Sequence, residues 1–416
     1  MPLSLNLKLG RRSGADVVGL DIQPGLVAAV RARVNGEIVA EHGVALPLPS
    51  DTVREGDVVD QPVVSETLRE LFTGSRMGKR VRVGVANQRT VMRTLELPPL
   101  SDRKELAAAV RFQAQDQVPM PLTNAVLDFH PLGVVDTPGG PRQKVVLVAA
   151  QRDMIERLLA AVRGAGLTPV GVDLSAFALI RSLYRADDEH AGRVLYLNVD
   201  GLTNVAIAEG KVCRFTRVVG GGLEEMAVEL AERRGFPLSN ARALLARVDL
   251  RAPLLPTETV EGTETAASEA TSGSHAQVAA QGSDGSEAPA QVEVHESREP
   301  SPGEHDVPSE GLVPPDEAAE DADARAILEH GVRAISGEVR NSLDFHRSQE
   351  GGGDVSRVVL SGLALELPGF ADALQSSLGV EVHGQGVGLA DAGSGGKVSA
   401  NRLAIAAGLA VAEAPQ

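Results

Sequence analysis

Tryptophan is missing from the 416 residues, tyrosine occurs twice and phenylalanine eight times. That excludes a core built on stacked rings and leaves Val, Leu, Ala and Ile to fill it, as layers of strands and helices. Cysteine is scarce as well. A lone Cys213 excludes a disulfide framework, and with no N-terminal apolar run long enough for a signal peptide the expectation is a reducing, cytoplasmic compartment. No stretch approaches the roughly 18 consecutive apolar residues of a membrane span, so a tie to a membrane runs through a partner. Excess positive charge is lacking too. Of the formal net charge of −16, all sits in residues 252–324, which carry 17 acids against one arginine, while the remainder balances 39 acids with 39 bases. A neutral remainder excludes the electrostatic footprint of nucleic-acid binding.

What is present is enough for two or three domains, with 43% hydrophobic residues to build their cores. The acidic segment 252–324 has no aromatic residue and is rich in Pro, Gly, Ser, Thr, Glu and Ala. It cannot bury enough apolar area to offset the entropy of ordering, and it reads as a disordered insert. It serves either as a solvated linker or as an acidic docking tail. Its flanks, ending near Leu250 and resuming as a helix near Ala326, are each incomplete alone and read as one domain.

A weak internal repeat organises the rest. A strand from Asp16 to Asp21, a turn at Gln23-Pro24-Gly25, a strand from Leu26 to Val34, an Asn35-Gly36 hairpin turn and a strand from Glu37 to Leu46 form the first copy. The order returns as Arg193 to Val199, Asp200-Gly201, Asn204 to Ala208, Glu209-Gly210 and Lys211 to Val219. Two hairpin units, each opening on a turn that could face a phosphate, predict a duplicated α/β fold with a nucleotide cleft between its halves. Ser101 is placed to cap a helix running to Val118, where Pro119 stops it. Leu328, Val332, Ile335, Val339 and Leu343 recur at helical spacing, predicting a helix over 326–347. A strand at Val355 to Leu360, helices at Leu367 to Leu378 and Asn401 to Ala412, and an ambiguous glycine-rich stretch from Val380 to Lys397 complete the chain.

These residues resemble the PilM family of type IV pilus machinery, relatives of the division protein FtsA and of actin. GLDIQPGLVAAV (19–30) looks like a first phosphate loop, LNVDGLTNVAI (197–207) like a second, and VVGGGLEEMA (218–227) like the glycine turn into the next helix. Three blocks are closer to PilM than to other actin relatives: 97–133, EVRNSLDFHRS (338–348) and VVLSGLALELPGFADALQSSLGVEV (358–382). The resemblance implies an actin-like ATPase fold with duplicated RNase H-like lobes, an inserted FtsA/PilM-type α/β subdomain over 97–164, and the acidic insert. The first lobe would then be 15–96 and 165–192, and the second 193–251 and 325–416. It implies ATP and Mg²⁺ as ligands, with Asp21 holding the ion through water, and Gln23, Gly25, Thr203, Asn204, Gly220, Gly221, Gly222, Ser361 and Gly362 as binding residues. It further implies a PilN-like membrane protein's cytoplasmic tail as partner, other pilus-assembly proteins, and self-association.

The residues depart from that pattern in several places. Pro24 offers no N–H where the first loop needs one, and Asp200 stands where a glycine is expected, a carboxylate that would repel phosphate. Asn198 replaces a metal-side aspartate, and Leu363-Ala364 interrupt a run of glycines. Ser175 occupies the place of the acid that orients hydrolytic water, with Asp173 poorly placed to substitute. Weak nucleotide binding and little turnover follow, so the chain reads as a non-catalytic or very slow ATPase-fold scaffold. His130 and His346, without metal-ligand spacing, read as packing or surface residues. Two alternatives stay open. An FtsA-like division tether would carry a basic amphipathic C-terminal helix, whereas 404–416 has no Lys or Arg. A sugar- or acetate-kinase-like enzyme would need intact phosphate glycines and a substrate-side base.

Overall fold

In a computed structural model the described residues are 17–75, 77–185, 192–251, 315–349, 351–390 and 399–412. The chain divides into one unit made of Met1–Ala252 with Pro315–Gln416 and a second of Pro253–Pro314. The second lies outside the described residues, as does Asp16 at the start of the first expected strand.

In chain order, the elements are β1 (Val18–Gln23), β2 (Leu26–Asn35), β3 (Glu37–Pro47), the short pair β4 (Val53–Arg54) and β5 (Asp57–Val58), α1 (Gln61–Phe72) and β6 (Arg80–Val85). Then come β7 (Val91–Leu97), α2 (Arg103–Gln117), β8 (Ala125–Thr137), β9 (Gly140–Gln151), α3 (Arg152–Gly164), β10 (Thr168–Leu174) and α4 (Ser175–Leu183). The second half holds β11 (Arg193–Val199), β12 (Thr203–Glu209), β13 (Val212–Val219), α5 (Leu223–Arg234), α6 (Leu238–Arg247), α7 (Pro315–Ser348) and β14 (Val355–Ser361). It ends with α8 (Phe370–Leu378), β15 (Val382–Gly384), β16 (Gly388–Leu389) and α9 (Ala404–Ala410).

The duplication expected from the turn chemistry is explicit in the sheets. The first runs β10-β6-β1-β2-β3-β16 and the second β13-β12-β11-β14-β15. In each, three antiparallel strands joined by hairpins are followed by two parallel ones. Gly36 and Gly210 supply the positive φ, 71° and 56°, of the hairpin turns.

Alternation sorts the side chains. Val18, Leu20 and Ile22 of β1 enter a core shared with α1 and α3, while Gly19 approaches α9 so closely that a methyl there would collide with the Ala406 carbonyl. The second sheet packs on α5, α6, α7 and α8. Between the sheets lie α4 and α9, whose residues Ala178, Leu179, Ala406 and Leu409 meet Ala28 and Val30 from one sheet and Tyr196 and Ala206 from the other. That helix pair fixes the separation of the lobes.

The expected compact subdomain is a three-stranded sheet, β7-β9-β8, covered by α2 through Leu106, Val110 and Ala114. Asp102 rather than Ser101 caps that helix, accepting the Lys104 and Glu105 amides at 2.8 and 2.9 Å. The sheet is not detachable. Val145, Leu147 and Ala149 of β9 face α2, but Val146, Val148 and Ala150 enter the first-lobe core, together with Met154, Ile155 and Leu158 of α3. The helix expected over 326–347 is longer, beginning at Pro315, because Ala324 is buried and Arg234 pairs with Asp323 at 2.7 Å. No helix among the described residues is long and apolar enough to cross a membrane.

Candidate functional site

β1 and β11 are the central strands of their sheets and are buried on both faces. A polar group in such a strand lacks water and must be explained. Asp21 and Gln23 in β1, and Asn198 in β11, are such groups. Gln23 Nε2 donates to Asp21 Oδ2 at 3.3 Å, leaving Gln23 Oε1 buried without a partner. Burial, then the charge of Asp200, raises the Asp21 carboxyl to about 7, with Arg402 opposing them. Near neutral pH it is therefore poised between acid and carboxylate. Gly84 leaves room beside it: a methyl there would sit 2.8 Å from Ser175 Oγ and 3.6 Å from Asp21 Oδ1. Ser175 is buried with its hydroxyl unpartnered. Asp173 is engaged elsewhere, by Arg181 and the Leu174 amide.

The two turns that should flank a phosphate touch each other. A methyl on Gly201 would collide with the Pro24 carbonyl, and one on Gly222 would lie 2.5 Å from the Asp200 and Gly201 carbonyls. Asp200 is buried and gripped by Arg402, whose Nε and Nη2 donate at 2.9 and 2.6 Å. Glu224, at the start of α5, pairs with Arg242 of α6 through Nε at 2.9 Å and through Nη2. Its carboxylate sits where any side chain on Gly25 would strike it. Beside this cluster a cavity of about 410 Å³ is lined by Leu46, Leu223, Ala243, Leu363 and Leu367 with the same charged groups and Glu366. A wider groove of about 990 Å³ runs past Gly220, Gly221 and Gly222.

The expected ligand set therefore divides. Gly25 and the three glycines line the wide groove, whereas Asp21 and Gln23 are buried within β1. Thr203 donates to the Gly221 carbonyl at 2.8 Å, holding the glycine turn. Asn204 lines a separate space of about 20 Å³ with Asn87 and Thr90. Ser361 accepts from Asn198 Nδ2 at 3.0 Å, and the Gly362 amide donates to Asn401 at 3.1 Å. His346 is buried against Phe215, ring centroids 6.2 Å apart, and burial lowers its pKa, reinforced by Arg193 and Arg214. No group of three or more His, Cys, Asp or Glu among the described residues could hold a metal ion.

Glu224, Arg242 and Arg402 are the residues that the sequence reading does not single out. Two signals point to Glu224 and Arg402: an acid two positions after three glycines, and one cation at the head of an apolar terminal helix.

Comparison with known proteins locates the chain. A family model described as "Type IV pilus assembly protein PilM" matches residues 19–222. Over that stretch the chain is similar to the PilM family. A solved structure, the "PilM-PilN type IV pilus biogenesis complex", is 20% identical with a TM-score of 0.63, covering 95% of this chain and 97% of the other. The ethanolamine utilization protein EutJ from Carboxydothermus hydrogenoformans is 13% identical, TM-score 0.45, over 94% and 88% of the two chains. MreB 5 of Spiroplasma citri bound to AMPPNP is 10% identical, TM-score 0.45, over 95% of each. The fold is that of the matched chain in the PilM-PilN complex. The turns around this cleft depart from the pattern that a magnesium nucleotide needs. Pro24 offers no N–H, Gly201 presses on the Pro24 carbonyl, and the Asp200 and Glu224 carboxylates engage the Arg402 and Arg242 donors that a phosphate would use.

Proposed function

We propose that the chain is a cytoplasmic scaffold of type IV pilus assembly that binds an extended cytoplasmic segment of a PilN-like membrane protein, with little use of ATP. The match of residues 19–222 to the PilM family model and the likeness to the solved PilM-PilN complex support the partner class. The observation that carries the binding mode is the β7-β9-β8 sheet, where β7 and β8 are both edge strands among the described residues. Edge strands offer rows of backbone N–H and C=O groups that an extended peptide can pair with, while its side chains enter alternate pockets. Apolar surface stands on the same subdomain: Phe112 on α2 and Val134 on β8 are 72% and 56% exposed.

Removing residues 97–164 cannot test this, because β9 and α3 build the first-lobe core. Calorimetry with a synthetic cytoplasmic tail from a neighbouring single-span pilus protein can. Micromolar binding is expected, weakened at least about tenfold, the loss of about 1.4 kcal/mol, in the Phe112→Ser/Val134→Lys double variant. Val34→Lys, at an equally exposed valine on β2, should bind as the wild type does. Unchanged affinity in the double variant would move the docking surface off this subdomain.

A further inference from the structure

Two guanidinium–carboxylate pairs lie in the cleft with no part in peptide docking. Asp200 stands on the β11–β12 turn of the second lobe, and its partner Arg402 immediately precedes α9, which packs on β1 and β2 of the first. Glu224 belongs to the second lobe, yet its carboxylate abuts Gly25 of the first. Its partner Arg242 also donates to the first-lobe Leu48 carbonyl at 3.5 Å. Both carboxylates are largely withdrawn from water and both are neutralised inside the protein. The opposing turns meet at Gly201, where a methyl would collide with the Pro24 carbonyl, while Gly25 makes room for the Glu224 carboxylate and Gly222 for the Asp200 and Gly201 carbonyls. Bound nucleotide in such a cleft would place negative charge between two turns, with protein donors holding it from both sides. Here the protein's own side chains provide the charge and the donors.

We propose that Glu224 and Asp200, with Arg242 and Arg402, form an internal latch that occupies the phosphate position and keeps the lobes closed with no nucleotide bound. This rests on the reading of the cleft as a degenerate nucleotide site. The chain would then present a constant shape to its partner, independent of ATP.

Distance measurement by electron-electron resonance on the full chain tests it. Spin labels at Val59→Cys and Glu232→Cys, on opposite walls of the wide groove, report the opening, while the buried Cys213 stays unlabelled. The unmodified cleft should give one narrow distribution, unchanged by millimolar Mg-ATP. Arg242→Met and the near-isosteric Glu224→Gln should each add a population longer than the width of the original peak. The exchange Glu224→Arg/Arg242→Glu should restore the narrow form. If both single variants are folded by circular dichroism and keep the original distribution, the latch is wrong, while the reading of a degenerate site stands. If Mg-ATP shifts the distribution of the unmodified cleft, or binds at micromolar affinity, the degenerate reading fails and the latch with it.

Discussion

Asp21 keeps a proton that an exposed aspartate gives up near pH 4. Its carboxyl titrates near 7 in the folded chain because it is buried and because Asp200 faces it, Arg402 offsetting only part of this. Between the ordinary 3.8 and about 7, the folded state binds a proton that the unfolded state has released, so stability falls as pH rises through that window and levels off above it. Asp21→Asn removes the ionisation while keeping the shape. Denaturant titrations should find the variant more stable than the wild type at pH 8 by about 1–3 kcal/mol, with the difference vanishing by pH 4. Equal stabilities at pH 8 would mean that Asp21 is solvated. This acid was legible beforehand as a carboxylate in an otherwise apolar strand. Its surroundings were not. Arg242 reaches Glu224 across 18 positions and Arg402 reaches Asp200 across 202, and pairs closed by the fold leave no spacing in the sequence.

At the scale of elements, the hairpins follow from local chemistry, whereas the helices between the sheets follow from packing. Asn35-Gly36 and Glu209-Gly210 fix turns whatever surrounds them. The terminal Ala-rich run has no such mark, and nothing local says that α9, arriving after the second sheet, lies on the first. Two details commit it there. Gly408 lets α9 approach α4 until a methyl would collide with the Ala178 carbonyl. Arg82 then satisfies its open end, donating to the Leu409 and Val411 carbonyls at 2.9 and 2.8 Å. Gly408→Ala should therefore destabilise by about 1–3 kcal/mol through overpacking. Gly337→Ala, in α7 where nothing lies within 4 Å, should stabilise by about 0.4–1 kcal/mol. Thermal melts of the two variants check both signs, and a neutral Gly408→Ala would show that the helices can part. The first eleven residues of α7 escaped the sequence reading for a related reason. Their acids look like the preceding insert, and only the fold brings Arg234 to Asp323, Arg247 to Asp321 and Ala324 into the core.

For the whole molecule, the insert boundary becomes a measurable quantity. Deleting 253–314 behind a short Gly/Ser bridge should leave the melting temperature within a few degrees, since the unit of Met1–Ala252 with Pro315–Gln416 keeps its contacts. Extending the deletion to 324 should lower it clearly by removing the Arg234–Asp323 pair and Ala324. A large loss with the shorter deletion would give the insert a place in the core.

The second-lobe core draws Leu223, Leu230 and Leu245 from before the insert and Ile327, Leu328 and Phe370 from after it. Arg325 ties the two sides directly, donating to the Asp249 and Leu250 carbonyls at 3.1 and 3.2 Å. Covalent continuity through 253–314 is therefore dispensable to the assembly of that lobe. Two polypeptides, 1–252 and 315–416, made in one cell, should find each other and elute as a single complementing pair, so that a reporter split at the insert would be reunited by this protein's own interior.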